Sequence, residues 1–329
     1  MEIRWNYSRN PGNPGSRPQR ELPPVQAVHL LIPEKSAIVR RPGSGPSQRE
    51  ERETNLRIQE INQEIDSLIG LHKVKKLIYE VQAFISIQMR RREEQLATDP
   101  LVLHMIFKGN PGTGKTTIAR LIARLFKEMG VLQKGHLVEV ERADLVGEYI
   151  GHTAQKTREQ IRRALGGVLF IDEAYSLTRG GERDFGKESI DTLVRGMEEY
   201  KSEFVLILAG YREEMNSFIR SNPGLKSRFP IIIDFPDYTL DELMKIADLM
   251  LSQRQYCLSS DARRELMKCL DESTRGGREH SGNARLVRNL IERSIRRQAV
   301  RLMNQGKINR EDLVLIRQQD LKGQQDDVE

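Results

Sequence analysis

Gly109-Asn110-Pro111-Gly112-Thr113-Gly114-Lys115-Thr116 is the stretch on which the reading of this chain turns. It follows the apolar run Leu101 to Phe107. It opens a helical stripe of Ile118, Leu121, Ile122, Leu125, Phe126 and Met129, which Gly130 ends. Strand, glycine-rich turn and helix in that order satisfy the pattern G-x-x-x-x-G-K-[ST] in the context it needs. Glycines let successive backbone N–H groups turn inward around phosphate oxygens, where side chains would clash. The helix that begins here points its positive end at the same anion. Lys115 is expected to reach the β- and γ-phosphates, and Thr116 to offer its hydroxyl to Mg²⁺. The expected nucleotide-binding residues are therefore Gly109, Asn110, Pro111, Gly112, Thr113, Gly114, Lys115, Thr116 and Thr117.

Further along, Gly167-Val168-Leu169-Phe170-Ile171-Asp172-Glu173 reads as an apolar strand ending in two carboxylates. Carboxylates at the tip of a buried strand are costly to desolvate unless a cation is near. Mg²⁺ fits, with Asp172 as its water-mediated partner and Glu173 as the base that polarises attacking water. Alone, the pair would read as a solvated strand end; beside the phosphate loop it reads as a hydrolytic site.

The runs Phe204 to Leu208 and Ile231 to Ile233, and Leu137 to Val140 but for Glu139, are apolar without alternation, as in strands covered on both faces. Alternating with helical stretches, they predict an α/β fold, a parallel five-stranded sheet flanked by helices, over residues 55–235. Within it, Leu56 to Arg92 forms two amphipathic stretches broken at Ile69-Gly70-Leu71. After Phe235 the strand pattern stops. Thr239 and Glu242 form a capping box, and Ala262 to Leu270 and Ala284 to Met303 are helical, which predicts a small all-helical domain over 236–320. Residues 321–329 read as a polar tail. Residues 1–54, with Pro/Gly/Ser clusters at 11–15 and 42–46, predict a tail without fixed structure. It carries an apolar island at Val25, Val28, Leu30, Leu31 and Ile32, for which a partner-docking strand is the alternative.

Composition excludes several classes. With 38% hydrophobic and 30% charged residues, the 329-residue chain reads as soluble and globular. No apolar run approaches the ~18 residues that span a bilayer. Arg4, Arg9, Arg17 and Arg20 interrupt the N-terminus where a signal peptide would be apolar, so a cytoplasmic location is expected. Cys257 and Cys269 are too few for a disulfide framework and are expected to be reduced and buried. The net charge of +6 is spread among acidic neighbours and selects no nucleic-acid partner.

The motifs occur in a recognisable order. After the phosphate loop come Asp172-Glu173-Ala174-Tyr175-Ser176-Leu177, Leu208-Ala209-Gly210-Tyr211, Asn222-Pro223-Gly224-Leu225-Lys226-Ser227-Arg228-Phe229 and Gly282-Asn283-Ala284-Arg285. From roughly residue 55 to 320 the chain resembles the AAA+ ATPases of the CbxX/CfxQ group, which includes red-type rubisco activases. The segment Lys134 to Thr153 is especially similar to the group's member in endospore-forming bacteria, which implies a role in spore formation. The resemblance implies ATP hydrolysis with Mg²⁺ and a ring, a hexamer by analogy. Arg228 would be an arginine finger reaching a neighbouring subunit's γ-phosphate, the alternative being a surface arginine. Arg285 would couple the lid to nucleotide, the alternative being a helix-end salt bridge. Ile69 and Gly70 match the group's adenine-contacting turn.

Tyr149 and Ile150 lie in the loop that would face the central channel and grip an extended protein client; Tyr149 packed on its own domain is the alternative. Tyr211 stands where many AAA+ proteins carry a polar residue, and either a hydroxyl near the attacking water or a packed tyrosine fits it. Protein remodelling is the leading reading. A nucleic-acid motor or a nucleotide-gated scaffold stay open beside it, although Glu148 and Tyr149 stand where a DNA motor would place lysines or arginines.

Overall fold

The computed structural model describes residues 48–98, 100–149, 151–179, 185–275 and 282–322. The apolar island at 25–32, Ile150 and the tail after residue 322 lie outside them. The first helix, α1 (Gln48–Ser67), starts before residue 55 and so reaches into the stretch assigned to the tail. Its opening turns are Gln, Arg and Glu with no proline or glycine, good helix formers that need no apolar stripe to continue the helix. Gly70 (φ 65°) and Leu71 (φ 55°) then make a left-handed turn into α2 (His72–Glu93), as the Ile-Gly-Leu break predicts.

Five short strands follow with their crossovers. They are β1 (Met105–Lys108), α3 (Lys115–Glu128), β2 (Leu137–Val140), α4 (Arg142–Leu145), α5 (His152–Ala164) and β3 (Val168–Ile171), then a 3₁₀ turn (Ala174–Thr178). After these come α6 (Gly186–Glu199), β4 (Val205–Gly210), α7 (Arg212–Ser221), α8 (Pro223–Lys226) and β5 (Ile231–Asp234). The sheet order is β2-β3-β4-β1-β5 with every neighbouring pair parallel. Met105, Phe107, Phe170, Ile207 and Ile233 face α1, α2 and α3. Ile106, Leu169, Ile171, Leu206 and Leu208 pack with Ile161, Leu193 and Met215 of α5, α6 and α7 on the other face. Burial on both faces of β1, β3 and β4 is why these strands carry no polar alternation, whereas the outer strands β2 and β5 expose Glu139 and Ile232. Leu103 and His104 are buried but precede the strand proper, so β1 is shorter than the apolar run.

Beyond β5 come α9 (Leu240–Gln253), β6 (Cys257–Leu258), α10 (Ser260–Arg275), α11 (Asn283–Met303), α12 (Arg310–Val314), β7 (Leu315–Ile316) and α13 (Gln318–Leu321). Leu243, Ala247, Leu266, Leu270, Val287, Ile291 and Ile316 form this domain's own core. It is helical except that β6 and β7 pair in parallel, two residues each, too short to show a period in sequence. The expectation of buried thiols fails here: Cys257 is exposed and Cys269 half-buried. Position 257 begins an edge strand whose side chain faces solvent, while Cys269 lies on the flank of α10. Among the described residues no helix is long and apolar enough to cross a membrane.

Candidate nucleotide site

The parallel sheet brings the C-terminal ends of β1, β3, β4 and β5 to one edge. Lys108 at the end of β1 lies in register with Gly210 of β4 and Asp234 of β5. Ile171 lies beside Leu208, so Asp172 and Glu173 leave β3 level with the last residues of β4. The Gly109 N–H donates to Gly210 O at 3.1 Å and closes the seam between β4 and the loop that follows β1.

That loop has the conformation the sequence predicts. Gly112 (φ 72°) and Gly114 (φ 95°) are left-handed, and the 14-residue α3 starts immediately after them. Lys115 Nζ donates to Gly109 O at 2.8 Å and Asn110 O at 2.9 Å. Thr113, fully buried, donates its hydroxyl to Asn110 O at 2.8 Å. Burial pushes the Lys115 ammonium below its usual range, and Arg285 adds to this. The carboxylates of Asp172, Glu173 and Asp237 work the other way. Thr116 is half-buried in the first turn of α3, and Thr117 points to solvent.

Glu173 adopts φ 46°, a left-handed conformation rare for a residue with a side chain, and its N–H donates to Asp172 Oδ1 at 2.9 Å. This turn leaves Glu173 exposed at the strand tip and tucks Tyr175 under it. A Cβ on Gly210 would stand 2.7 Å from the Tyr175 ring, so the glycine at the end of β4 makes room for it. Burial, then the charge of Glu173, raises the Tyr175 hydroxyl above its usual range. The half-buried Tyr211 ring lies 5.8 Å from that of Tyr175.

The other expected residues approach from both sides. Ile69 packs on the core of the lid domain. A Cβ on Gly70 would stand 2.4 Å from Glu242 Oε1 and 3.4 Å from the Tyr238 ring. The Tyr238 hydroxyl donates to Thr113 O at 3.3 Å, so the Ile69–Gly70 turn, the lid's entry and the phosphate loop share one wall. Arg285 is exposed in the first turn of α11, and among the described residues no ion pair holds it.

Sequence reasoning missed Asp237, Tyr238 and Asn283. Asp237 accepts from both Asn110 and Asn283, and Asn283 is 3% exposed. An aspartate after Phe235-Pro236 carries no motif, and only the fold brings it to the loop.

Two family patterns match the chain at these positions. That described as "ATPase family associated with various cellular activities (AAA)" covers residues 105–237, and the AAA lid domain covers 239–329. Stage V sporulation protein K of Bacillus subtilis (strain 168) is 56% identical over 266 residues, spanning 80% of this chain and 82% of the relative. The chain is an AAA+ ATPase of the CbxX/CfxQ group. As such it binds and hydrolyses ATP. This AAA+ ATPase is also 45% identical over 267 residues to protein CbbX of Cereibacter sphaeroides, covering 80% and 86% of the two chains. It is 44% identical over 268 residues to the chloroplastic ribulose bisphosphate carboxylase/oxygenase activase of Cyanidioschyzon merolae (strain NIES-3377 / 10D), covering 80% and 91%. The solved FIGL-1 AAA domain in complex with ADP superposes with a TM-score of 0.53 at 18% identity, over 78% of this chain and 80% of that one. At that identity the likeness speaks for the fold.

The residues present fit ATP. The α3 N-terminus, the left-handed glycines and a buried ammonium offer donors to an anion. Asp172, Glu173 and Asp237 act on the charge of that ammonium, and added phosphate charge would call for a divalent cation. Among the described residues no cluster of three His, Cys, Asp or Glu side chains could hold a metal alone.

The remaining two expected residues lie elsewhere. Arg228 precedes β5, whose first residue, Ile231, is level with Met105 at the start of β1. It therefore sits at the opposite end of the sheet from Lys115. There its guanidinium pairs with Glu198 and donates to Gly224 O at 2.7 Å. Tyr149 lies in the loop between α4 and α5, 66% exposed, its ring 5.5 Å from that of His152 in an edge-to-face pair.

Proposed function

We propose that this AAA+ ATPase works in the cytoplasm as a hexameric ring that remodels a protein client by pulling it through the central channel. The observation that carries this reading is Tyr149, a large side chain held out to solvent on a firmly based loop. The Gly147 N–H donates to the buried Thr153 hydroxyl at 2.9 Å. Lys156 Nζ donates to Val146 O at 3.2 Å and to Ala143 O at 3.3 Å. Gly147 and Gly151 flank the segment, and a Cβ on Gly151 would meet nothing within 4 Å. A rigid base with an exposed aromatic tip can grip an extended chain by packing that tolerates any sequence. Ile150, its expected companion, lies outside the described residues.

In this reading Lys115 and the loop amides would hold the phosphates, and Thr116 and Asp172 would hold Mg²⁺, which when bound would screen charge on the transferred phosphoryl group. Glu173 accepts the proton of the attacking water. Arg285 reports nucleotide to the lid, and Ile69 and Gly70 line the base. Arg228 acts on the next subunit. Its place at the far end of the strands supports this, since three residues of strand alone separate the two ends of β1 by ~10 Å. An arginine that cannot serve its own site makes hydrolysis depend on a closed, head-to-tail ring.

The identity with a sporulation protein supports a role in spore formation. The rubisco activase relative supports a folded protein as client. Tyr149→Ala separates the possibilities: basal ATPase activity should persist while stimulation by an unstructured polypeptide is lost. Stimulation by DNA that survives the substitution and falls steeply with salt would replace the protein client with nucleic acid.

A further inference from the structure

We propose that Asp237 and Asn283 are positioning residues that strap the lid to the phosphate loop, and that the charge of the strap works against nucleotide. The bonds define it. Asn110 Nδ2 donates to both oxygens of Asp237, at 3.0 and 2.9 Å. Asn283 Nδ2 donates to Asp237 Oδ1 at 2.8 Å and to Pro111 O at 3.2 Å, while Asn283 Oδ1 accepts from the Tyr238 N–H at 3.0 Å. The Ala284 N–H donates to Gly112 O at 3.2 Å. Asn283 opens α11 in a left-handed conformation, φ 46°, which asparagine adopts more readily than most residues. A Cβ on Gly112 would stand 2.4 Å from Gly282 O, so the lid touches the loop backbone directly. The lid cannot swing outward without breaking these bonds together.

Both ends of the strap meet at Asn110. Its side chain holds Asp237, and its carbonyl accepts from Lys115 Nζ and from Thr113. A phosphate oxygen that draws Lys115 toward itself competes with the Asn110 carbonyl, and so acts on the residue that anchors the lid. Asp237 is bonded by the Asn110 side chain and Lys115 by the Asn110 carbonyl, so one residue joins the carboxylate to the ammonium. The same carboxylate therefore repels the phosphates that Lys115 attracts. Two neutral amides bond this anion without neutralising it.

The test uses the full chain with Asp237→Asn and Asn283→Gly. The first keeps the shape and removes the charge; the second keeps the left-handed backbone and removes the amide. Hydrogen exchange in nucleotide-free protein should quicken about tenfold or more in both variants at 283–290 and the start of α9. It should stay unchanged in β1 and α3, where a general loss of fold would show. Binding of ADP should tighten about two- to fivefold in Asp237→Asn alone, at low salt, and the gain should shrink as salt rises. Lid exchange like wild type in both variants, or ADP binding that does not tighten in Asp237→Asn, overturns the proposal.

Discussion

The two ends of the five-stranded sheet are built on opposite rules. At the C-terminal end, Glu173, Asn283 and Leu71 hold left-handed backbones, and the carboxylates of Asp172, Glu173 and Asp237 act on the charge of the half-buried Lys115. At the N-terminal end the polar group is sealed in. His104, 3% exposed, accepts the Leu206 N–H on Nδ1 at 3.0 Å, between the rings of Phe204 and Phe229 at 5.8 and 6.0 Å. Strained, charged groups persist only where surrounding structure over-determines them, and they gather where chemistry is done. The quiet end is where Arg228 emerges, next to Phe229, whose packing fixes its root. One end is built to receive a ligand; the other is a rigid mount for Arg228, which in the proposed ring serves another copy.

The largest effect should come from the mount. Arg228→Ala should cut ATPase activity by about 10³- to 10⁵-fold while ADP affinity, measured by calorimetry, stays within a factor of two or so. Mixing Arg228→Ala protomers with Glu173→Gln protomers should restore part of the activity, because some interfaces then pair an intact arginine with an intact glutamate. Mixtures no more active than either parent would place the two residues in one site and erase the division between the ends.

A middle-sized effect should come from His104. Burial pushes its pKa down to about 4 from the ordinary 6.5. Between those values the unfolded chain takes up a proton that the fold refuses, so stability rises with pH across this window. It is complete above about pH 6.5 and lost as pH falls toward 4, by about 3 kcal/mol in all. His104→Asn keeps an acceptor for Leu206 without titrating, and its urea midpoint should be flatter over that range. An equally steep variant would show that acid sensitivity resides at the charged end instead.

How far each end could be read in the sequence follows from how local its parts are. The phosphate loop and the Asp172-Glu173 tip are runs of neighbours whose chemistry is written in consecutive residues, and the strands between them show in apolar runs. The position of Arg228 opposite Lys115 depends on strand register, and the contact of Asp237 with Asn283 spans 46 positions, so neither could be derived from spacing. Gly112 reads as clearance for phosphate, yet the structure shows it equally as clearance for the lid. The start of α1 was hidden for the opposite reason. A charged helix without an apolar face looks like tail.

The smallest effect concerns what holds Arg228 in the single protomer. Glu198, on the last turn of α6, pairs with the guanidinium, and that hydrogen bond and charge hold the Glu198 carboxyl below the usual carboxylate range. The pair therefore survives mild acid, but it is solvent-exposed and weak. In the proposed ring Arg228 must leave that partner to reach a neighbour's phosphate, so there the pair would oppose assembly of the active interface. Glu198→Gln keeps a hydrogen-bond acceptor and removes the charge. ATPase activity at limiting protein concentration should rise about two- to fivefold at low ionic strength and return to the wild-type level in high salt. A fall in activity at every salt concentration would mean that Glu198 aims the arginine toward its target, and the mount would then include the carboxylate.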